Sequence, residues 1–146
     1  MSDSLRMVFE PLPSADLRDF IEDNVVAYNF AQTGVSEWHP LGYFLRDELG
    51  EWMGGCLGYV WGGWIHIQWL WVTQPLRGQG EGGRLLQAAE AFGLTRGARA
   101  ATLETHSFQA LRFYQNRGYA IAGTLEDFPP GHSKYFLRKT LSGTPH

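Results

Sequence analysis

From Val72 the chain runs through Thr73-Gln74-Pro75-Leu76-Arg77 into Gly78-Gln79-Gly80-Glu81-Gly82-Gly83, then into an amphipathic helix that opens Arg84-Leu85-Leu86. A strand, a glycine-rich turn and a helix in that order form a cradle for an anion. Glycines let the backbone approach a phosphate closely, successive N–H groups converge on it, and the unpaired amides at the helix start add partial positive charge. A diphosphate-bearing cofactor is the expected ligand.

The segment has two spellings. Gly78-x-Gly80-x-x-Gly83 matches the dinucleotide fingerprint, with Glu104 at about the ~20-residue distance of a ribose-binding acid. Against it, five residues separate Val72 from Gly78, the preceding chain reads as antiparallel strands, and too little chain follows Glu104 for a second mononucleotide-binding half. The other spelling is Arg77-x-x-Gly80-x-Gly82. About thirty residues downstream stands Phe113-Tyr114-Gln115-Asn116-Arg117-Gly118-Tyr119, an aromatic-Tyr-x-x-x-Gly-aromatic signature preceded by Ala110. On these two motifs in register the chain resembles the GNAT superfamily of acyl-CoA N-acyltransferases, over roughly residues 41 to 141.

That resemblance implies an α/β (α+β) fold with a mixed, mostly antiparallel central sheet of about six to seven strands flanked by helices, in the order β-α-(α)-β-β-β-α-β-α-β-β. It also implies that the strand before the phosphate loop and the strand after its helix diverge, with the pantetheine arm in the gap. The chain's own pattern follows this order. Met7-Val8-Phe9-Glu10 reads as a first strand, and Ser14 as the N-cap of a helix carrying Leu17, Phe20, Ile21, Val25 and Tyr28. Residues 30 to 40 have no clear period. Tyr43 to Arg46, Met53 to Val60 and Trp64 to Val72 read as a meander with a Gly62-Gly63 turn. Strict alternation along the last strand puts Trp64, His66, Gln68, Leu70 and Val72 on one face and Ile65, Ile67, Trp69 and Trp71 on the other. The helix after the glycines is expected to bury Leu85, Ala89 and Phe92 and to stop at Arg96-Gly97. Ala100 to Thr105 reads as a strand, Ser107 as the N-cap of a helix through Arg117 stopped by Gly118, and two strands near 119 to 124 and 134 to 141 close the chain.

Composition narrows the function classes. The 146 residues are 44% apolar, enough for one domain with a substantial core, with residues 142–146 expected as a loose tail. A net charge of -3 with no Lys/Arg cluster argues against nucleic acid as a partner. The single cysteine, Cys56, excludes an intrachain disulfide and a thiolate-rich metal site, and no His-carboxylate spacing points to a metal. With no signal-like start and no apolar run of the ~18 residues needed to span a bilayer, the expectation is a cytoplasmic protein without membrane association.

The resemblance implies roles residue by residue. Arg77 and the amides of Gly78, Gln79, Gly80, Glu81, Gly82 and Gly83 are expected on the pyrophosphate of acetyl-CoA, with Arg84 or Arg117 in reach of a phosphate. A backbone N–H near Leu70, Trp71 or Val72, freed by a β-bulge, is the expected oxyanion donor. Tyr114 is the candidate acid for the departing thiolate. A tyrosine's ordinary pKa of about 10 suits that proton transfer. His66 and Glu104 are the foremost candidates for the base, ahead of His106 and His132.

Two positions depart from the family pattern. Glu81 stands where an apolar residue is usual, so its carboxylate is expected to face solvent or an arginine. Ser107 stands where a cofactor-contacting Asn is frequent. Of the six tryptophans, all between Trp38 and Trp71, most are expected in the core and sheet, with Trp38, Trp52 and Trp61 the candidates for exposure at an acceptor wall or dimer face. The loop Glu126 to His132 is a candidate acceptor contact. The acceptor is a small-molecule amine or a protein amine, and the resemblance implies a homodimer, an assembly frequent in the family. Two other classes stay open: an acyl-CoA-binding regulator without efficient turnover, and a nicotinamide-dependent oxidoreductase.

Overall fold

Ser14 begins the first helix as expected. Its Oγ accepts from the N–H of Leu17 at 3.2 Å, and α1 (Ala15–Thr33) ends at Gly34, whose left-handed φ of 70° lets its N–H reach Phe30 O at 2.7 Å. The computed structural model of the chain describes residues 4–141, so the expected tail at 142–146 lies outside the described residues. The chain divides into two units, one ending at Ser36 and the other starting at Glu37. The first holds α1. Met7-Val8-Phe9-Glu10 is not a strand there: this stretch has no place in a ladder, and Pro11 and Pro13 behind it have no N–H to extend one. Of the undecided residues 30 to 40, 30–33 finish α1, 34–38 have no regular structure and 39–40 begin the next strand. Among the described residues, no helix is long and apolar enough to cross a membrane.

The second unit is built on a six-stranded sheet ordered β1-β2-β3-β4-β6-β5, from β1 (His39–Arg46), β2 (Trp52–Trp61), β3 (Trp64–Val72), β4 (Ala100–His106), β5 (Ala120–Glu126) and β6 (Ser133–Thr140). Only β3 and β4 are parallel; every other pair is antiparallel. α2 (Glu81–Thr95) is the crossover between them and buries Leu85, Leu86, Ala89 and Gly93. At Gly93 the helix lies so close that a Cβ would stand 3.2 Å from the side chain of Ile65. Phe92, expected in the core, is only half-buried against it, because Gly93 takes the closest point of approach. The core joins α2 to Cys56, Val60, Ile65, Ile67, Leu103 and Leu137 on the sheet.

The strict alternation expected for β3 fails at Gln68. Leu57 pairs with Trp69 and Gly58 with Ile67, so Gln68 is the extra residue of a β-bulge. The bulge turns Leu70 and Val72 toward the core beside Ile65 and Ile67, and leaves Trp69 and Trp71 exposed. It is possible because residue 58 is glycine: a Cβ there would collide with the His66 carbonyl. Among the tryptophans expected to be exposed, Trp38 and Trp52 are, whereas Trp61 is half-buried.

The expected helix from Ser107 to Arg117 shrinks to α3 (Leu111–Gln115), with Ala110 at its N-cap. Ser107 caps nothing. Its Oγ accepts from Ser133 N at 3.0 Å and its N–H donates to Ser133 O at 2.8 Å, tying the end of β4 to the start of β6. Residues 107 to 110 make a turn instead of a first helical turn, held by Gln109, whose amide oxygen accepts from the N–H of His106 at 2.8 Å.

Candidate active site

β3 and β4 pair only from Trp64 with Ala100 to Ile67 with Leu103. Beyond that the two strands separate, while β4 stays paired to β6 as far as His106 with Lys134. The backbone groups of β3 from Gln68 to Val72 that face β4 therefore border an open gap. This is the divergence the resemblance implied, and the bulge lies at Gln68, a little earlier than the expected Leu70 to Val72.

At the far end of the gap the chain turns into the glycine segment. Thr73 N–H reaches Met53 O at 2.8 Å and a single 3-10 turn follows at Gln74–Leu76. Gly78 and Gly80 have φ of 80° and 88°, and a Cβ at either would meet no atom within 4 Å, so the backbone there is bare on the outside. Gly80 is the N-cap of α2, and Arg84 N to Gly80 O, 3.0 Å, is the first helical bond. The N–H groups of Glu81, Gly82 and Gly83 thus have no intrahelical partner, and among the described residues no side chain caps them. Bare glycine backbone with uncapped amides fits a diphosphate.

The side chains of the loop divide in their tasks. Arg77 Nε donates to Val72 O at 3.0 Å and Gln79 Nε2 to Pro75 O at 2.9 Å, so both brace the turn, and Arg77 also lines the gap. Arg117 lies 4.0 Å over the Phe113 ring and against Gly83, where a Cβ would come 2.6 Å from Nη2. Glu81 faces an arginine, as expected: Oε1 is 2.9 Å from Arg84 Nε, though buried and out of hydrogen-bonding line. Arg84 borders a separate depression with Gln87, Glu90 and Lys139.

Two clefts open on the gap. One, about 660 Å³, runs from Arg77, Gly78 and Gly80 past Leu70, Trp71 and Val72 to Phe113 and Tyr114. The other, about 420 Å³, holds His66, Gln68, Trp69, Glu104, His106 and Lys134. They share Leu70, Gln109, Ala110 and Tyr114. Tyr114 is buried, 8% exposed, with its ring edge-on to Phe113 and Tyr119 and no hydrogen bond to its hydroxyl among the described residues. Burial, and secondarily the neighbouring Cys56, push its pKa up to about 12, so the phenol keeps its proton. Burial likewise pushes the Cys56 thiol up to about 11.

His66 and Glu104 line the second cleft from β3 and β4. His66 Nδ1 is 3.2 Å from the Tyr59 hydroxyl, and Glu104 Oε1 is 2.8 Å from Lys134 Nζ. Ser107, Gln79, Glu81 and Arg84 border neither cleft. The Glu126 to His132 loop brings Phe128 to 5.8 Å from the His106 ring and His132 to 5.0 Å from Phe108. Sequence reading missed Gln109, Phe108 and Lys134. The signal available for Gln109 was its place three residues after His106, where the strand ends.

An anion cradle at one end of a split strand pair leads to a protonated phenol where a second cleft begins. Residues 6–119 match the Acetyltransferase (GNAT) family, and the chain belongs to it. It is an acyl-CoA-dependent acetyltransferase. An acetyltransferase of Agrobacterium fabrum is 33% identical over 135 residues, 92% of this chain and 98% of the relative. A blasticidin-S acetyltransferase of Streptomyces morookaense is 40% identical over 114 residues, 75% of this chain and 84% of the relative. The crystal structure of an acetyltransferase from Bacillus cereus superposes with a TM-score of 0.81 at 29% identity, covering 93% of this chain and 98% of that one. The family and the largely antiparallel sheet overturn the oxidoreductase alternative: Gly78-x-Gly80-x-x-Gly83 lies on a crossover inside one parallel pair, not in a doubly wound sheet.

Proposed function

We propose that the protein transfers the acetyl group of acetyl-CoA to the primary amine of a small molecule, by direct attack within a ternary complex. One observation carries this reading: the cleft that starts in the amide cradle and the cleft that starts at His66 and Glu104 meet at Tyr114. The relative that is 40% identical is named for a small-molecule acceptor, which favours that acceptor class over a protein amine.

Acetyl-CoA supplies an activated acyl carbon and a thiolate leaving group. Gly78 to Gly83 and Arg77 hold the diphosphate, and β3 beyond the bulge offers backbone N–H groups to the polarised thioester oxygen. Tyr114 holds the proton for the sulphur, a role suited to a phenol kept neutral by burial. The amine's proton leaves through the groups around the second cleft, where His66 and Glu104 are the foremost candidates read from the sequence and His106 a lesser one.

Calorimetric titration with acetyl-CoA, with CoA and NADH as controls, followed by thiol release across a panel of amines, tests the reading. Acetyl-CoA binding with amine-dependent thiol release is the expected result. Binding without release under every amine would leave a regulator in its place.

A further inference from the structure

Resting on the transferase reading, we propose that His106 is the proton acceptor for the incoming ammonium, and that Gln109 is the positioning residue that fixes which imidazole nitrogen does it.

Gln109 is locked to His106 from both directions. Its N–H donates to His106 O at 2.9 Å, and its Oε1 accepts from His106 N at 2.8 Å. A backbone N–H can donate only to the oxygen of an amide, so the orientation of the Gln109 side chain is settled by this bond. Thr105 Oγ1, on a buried residue, stands 3.4 Å from the same oxygen as a further donor. His106 Nδ1 is also 3.1 Å from it. Because that oxygen has no proton to give, Nδ1 carries the hydrogen, and the lone pair of the neutral ring is on Nε2. The ring is held flat by Phe108, stacked at 5.2 Å, and by Phe128 at 5.8 Å.

The other candidates lack this preparation. The partner of His66 Nδ1 is a hydroxyl, which can donate or accept, so no tautomer is imposed. Glu104 is engaged by Lys134 at 2.8 Å. His106 lines the acceptor compartment, and Gln109 lines both clefts, at the junction where amine and thioester must meet. The titratable groups that face the imidazole are Glu104 two residues back on β4, Lys134 opposite it on β6, His132 across Phe108, and His66 and Tyr114 across the compartment.

The protons balance. A primary ammonium loses two on becoming an amide. One goes to His106 Nε2, giving an imidazolium whose Nδ1–H stays on Gln109, and from there to solvent. The other replaces the proton that Tyr114 gives to the thiolate as the C–N bond forms and the C–S bond breaks.

Nitrogen-15 NMR of the imidazoles reads the tautomer without turnover: an Nδ1–H His106 is expected, and an Nε2–H His106 overturns the proposal. In kinetics, His106→Gln is expected to lower kcat by about 10²-fold with the KM for acetyl-CoA unchanged and the acid limb of the pH–rate profile gone. A loss under about threefold, or a retained acid limb, overturns it. Gln109→Glu keeps the acceptor oxygen and adds a charge that favours the imidazolium, so most of kcat should survive with the acid limb moved to higher pH. Gln109→Leu should lose kcat, and an unmoved limb in Gln109→Glu removes the positioning role. Wild-type protein that releases no thiol with any amine counts against the transferase reading and takes the base role with it. Turnover that survives in His106→Gln counts against His106 alone.

Discussion

Tyr114 is one of the four residues that the two clefts share, and its environment sets its use. A phenol with an ordinary pKa of about 10 is raised to about 12 by burial, so at neutral pH it is a proton holder and not a base. Tyr114→Phe, which removes the proton and leaves the ring contacts, is expected to reduce kcat by about 10²-fold or more with little change in the KM for acetyl-CoA. Steady-state kinetics with a fixed amine checks this. The same shift links to stability. The folded state resists ionisation, so its contribution is fully present below pH 10 and is lost as pH rises toward 12, on the order of 2 to 3 kcal/mol. Chemical denaturation at pH 9 and pH 11.5 should show a smaller alkaline loss for Tyr114→Phe than for wild type.

Among the elements, β3 and the loop after it carry the site, and both depend on glycine for a definable reason. The bulge at Gln68 needs the close approach of Gly58 to the His66 carbonyl, a backbone atom that cannot swing aside. Gly58→Ala is therefore expected to cost about 1 to 3 kcal/mol and to lower kcat, because the bulge decides which amides of β3 border the gap. Gly80 serves conformation in place of space: with φ of 88° and nothing within 4 Å of a Cβ, Gly80→Ala meets strain without a clash. That variant should lose about 1 to 2 kcal/mol and bind acetyl-CoA more weakly. Comparing Tm with calorimetric affinity separates the two effects. Strict alternation misplaced Trp69, Leu70, Trp71 and Val72 relative to Ile65 and Ile67, because a bulge is set by a residue on the neighbouring strand, where a period-2 reading does not look. The helix expected from Ser107 failed for a similar reason, since Ser107 spends its hydroxyl on Ser133, far away in sequence.

Across the whole second unit, long-range ties hold the cradle to the sheet. Glu90 on α2 accepts from Tyr119 Oη at 2.7 Å and from Lys139 Nζ on β6 at 2.8 Å. Burial and this carboxylate push the Tyr119 pKa upward. Tyr119→Phe deletes one of the two bonds and is expected to cost about 1 to 2 kcal/mol while leaving kcat near the wild-type value. If the cradle binds as argued, acetyl-CoA at a hundredfold excess over its Kd should stabilise the folded state by about 2.7 kcal/mol, and NADH should not. Thermal melts with each ligand check both.

The glycine spacing, the aromatic signature ending at Gly118-Tyr119 and the apolar periods of β2, β3 and α2 were legible in the chain. They are local: a cap, a turn or a helix face needs only neighbouring residues to be recognised. They singled out Gly78 to Gly83, Tyr114, His66 and Glu104 as candidates, and they gave the order of elements from α1 onward. What tertiary structure decided is everything that depends on partners distant in sequence. Met7 to Glu10 is not a strand because no ladder includes it, and Gln68 bulges because Gly58 lets it. Glu104 meets Lys134 only through β6, and His106 became prominent only when Gln109 folded back on it. Sequence period records which face a side chain prefers, whereas the hydrogen-bond partner that fixes a tautomer or frees an amide is chosen by the packing of the sheet.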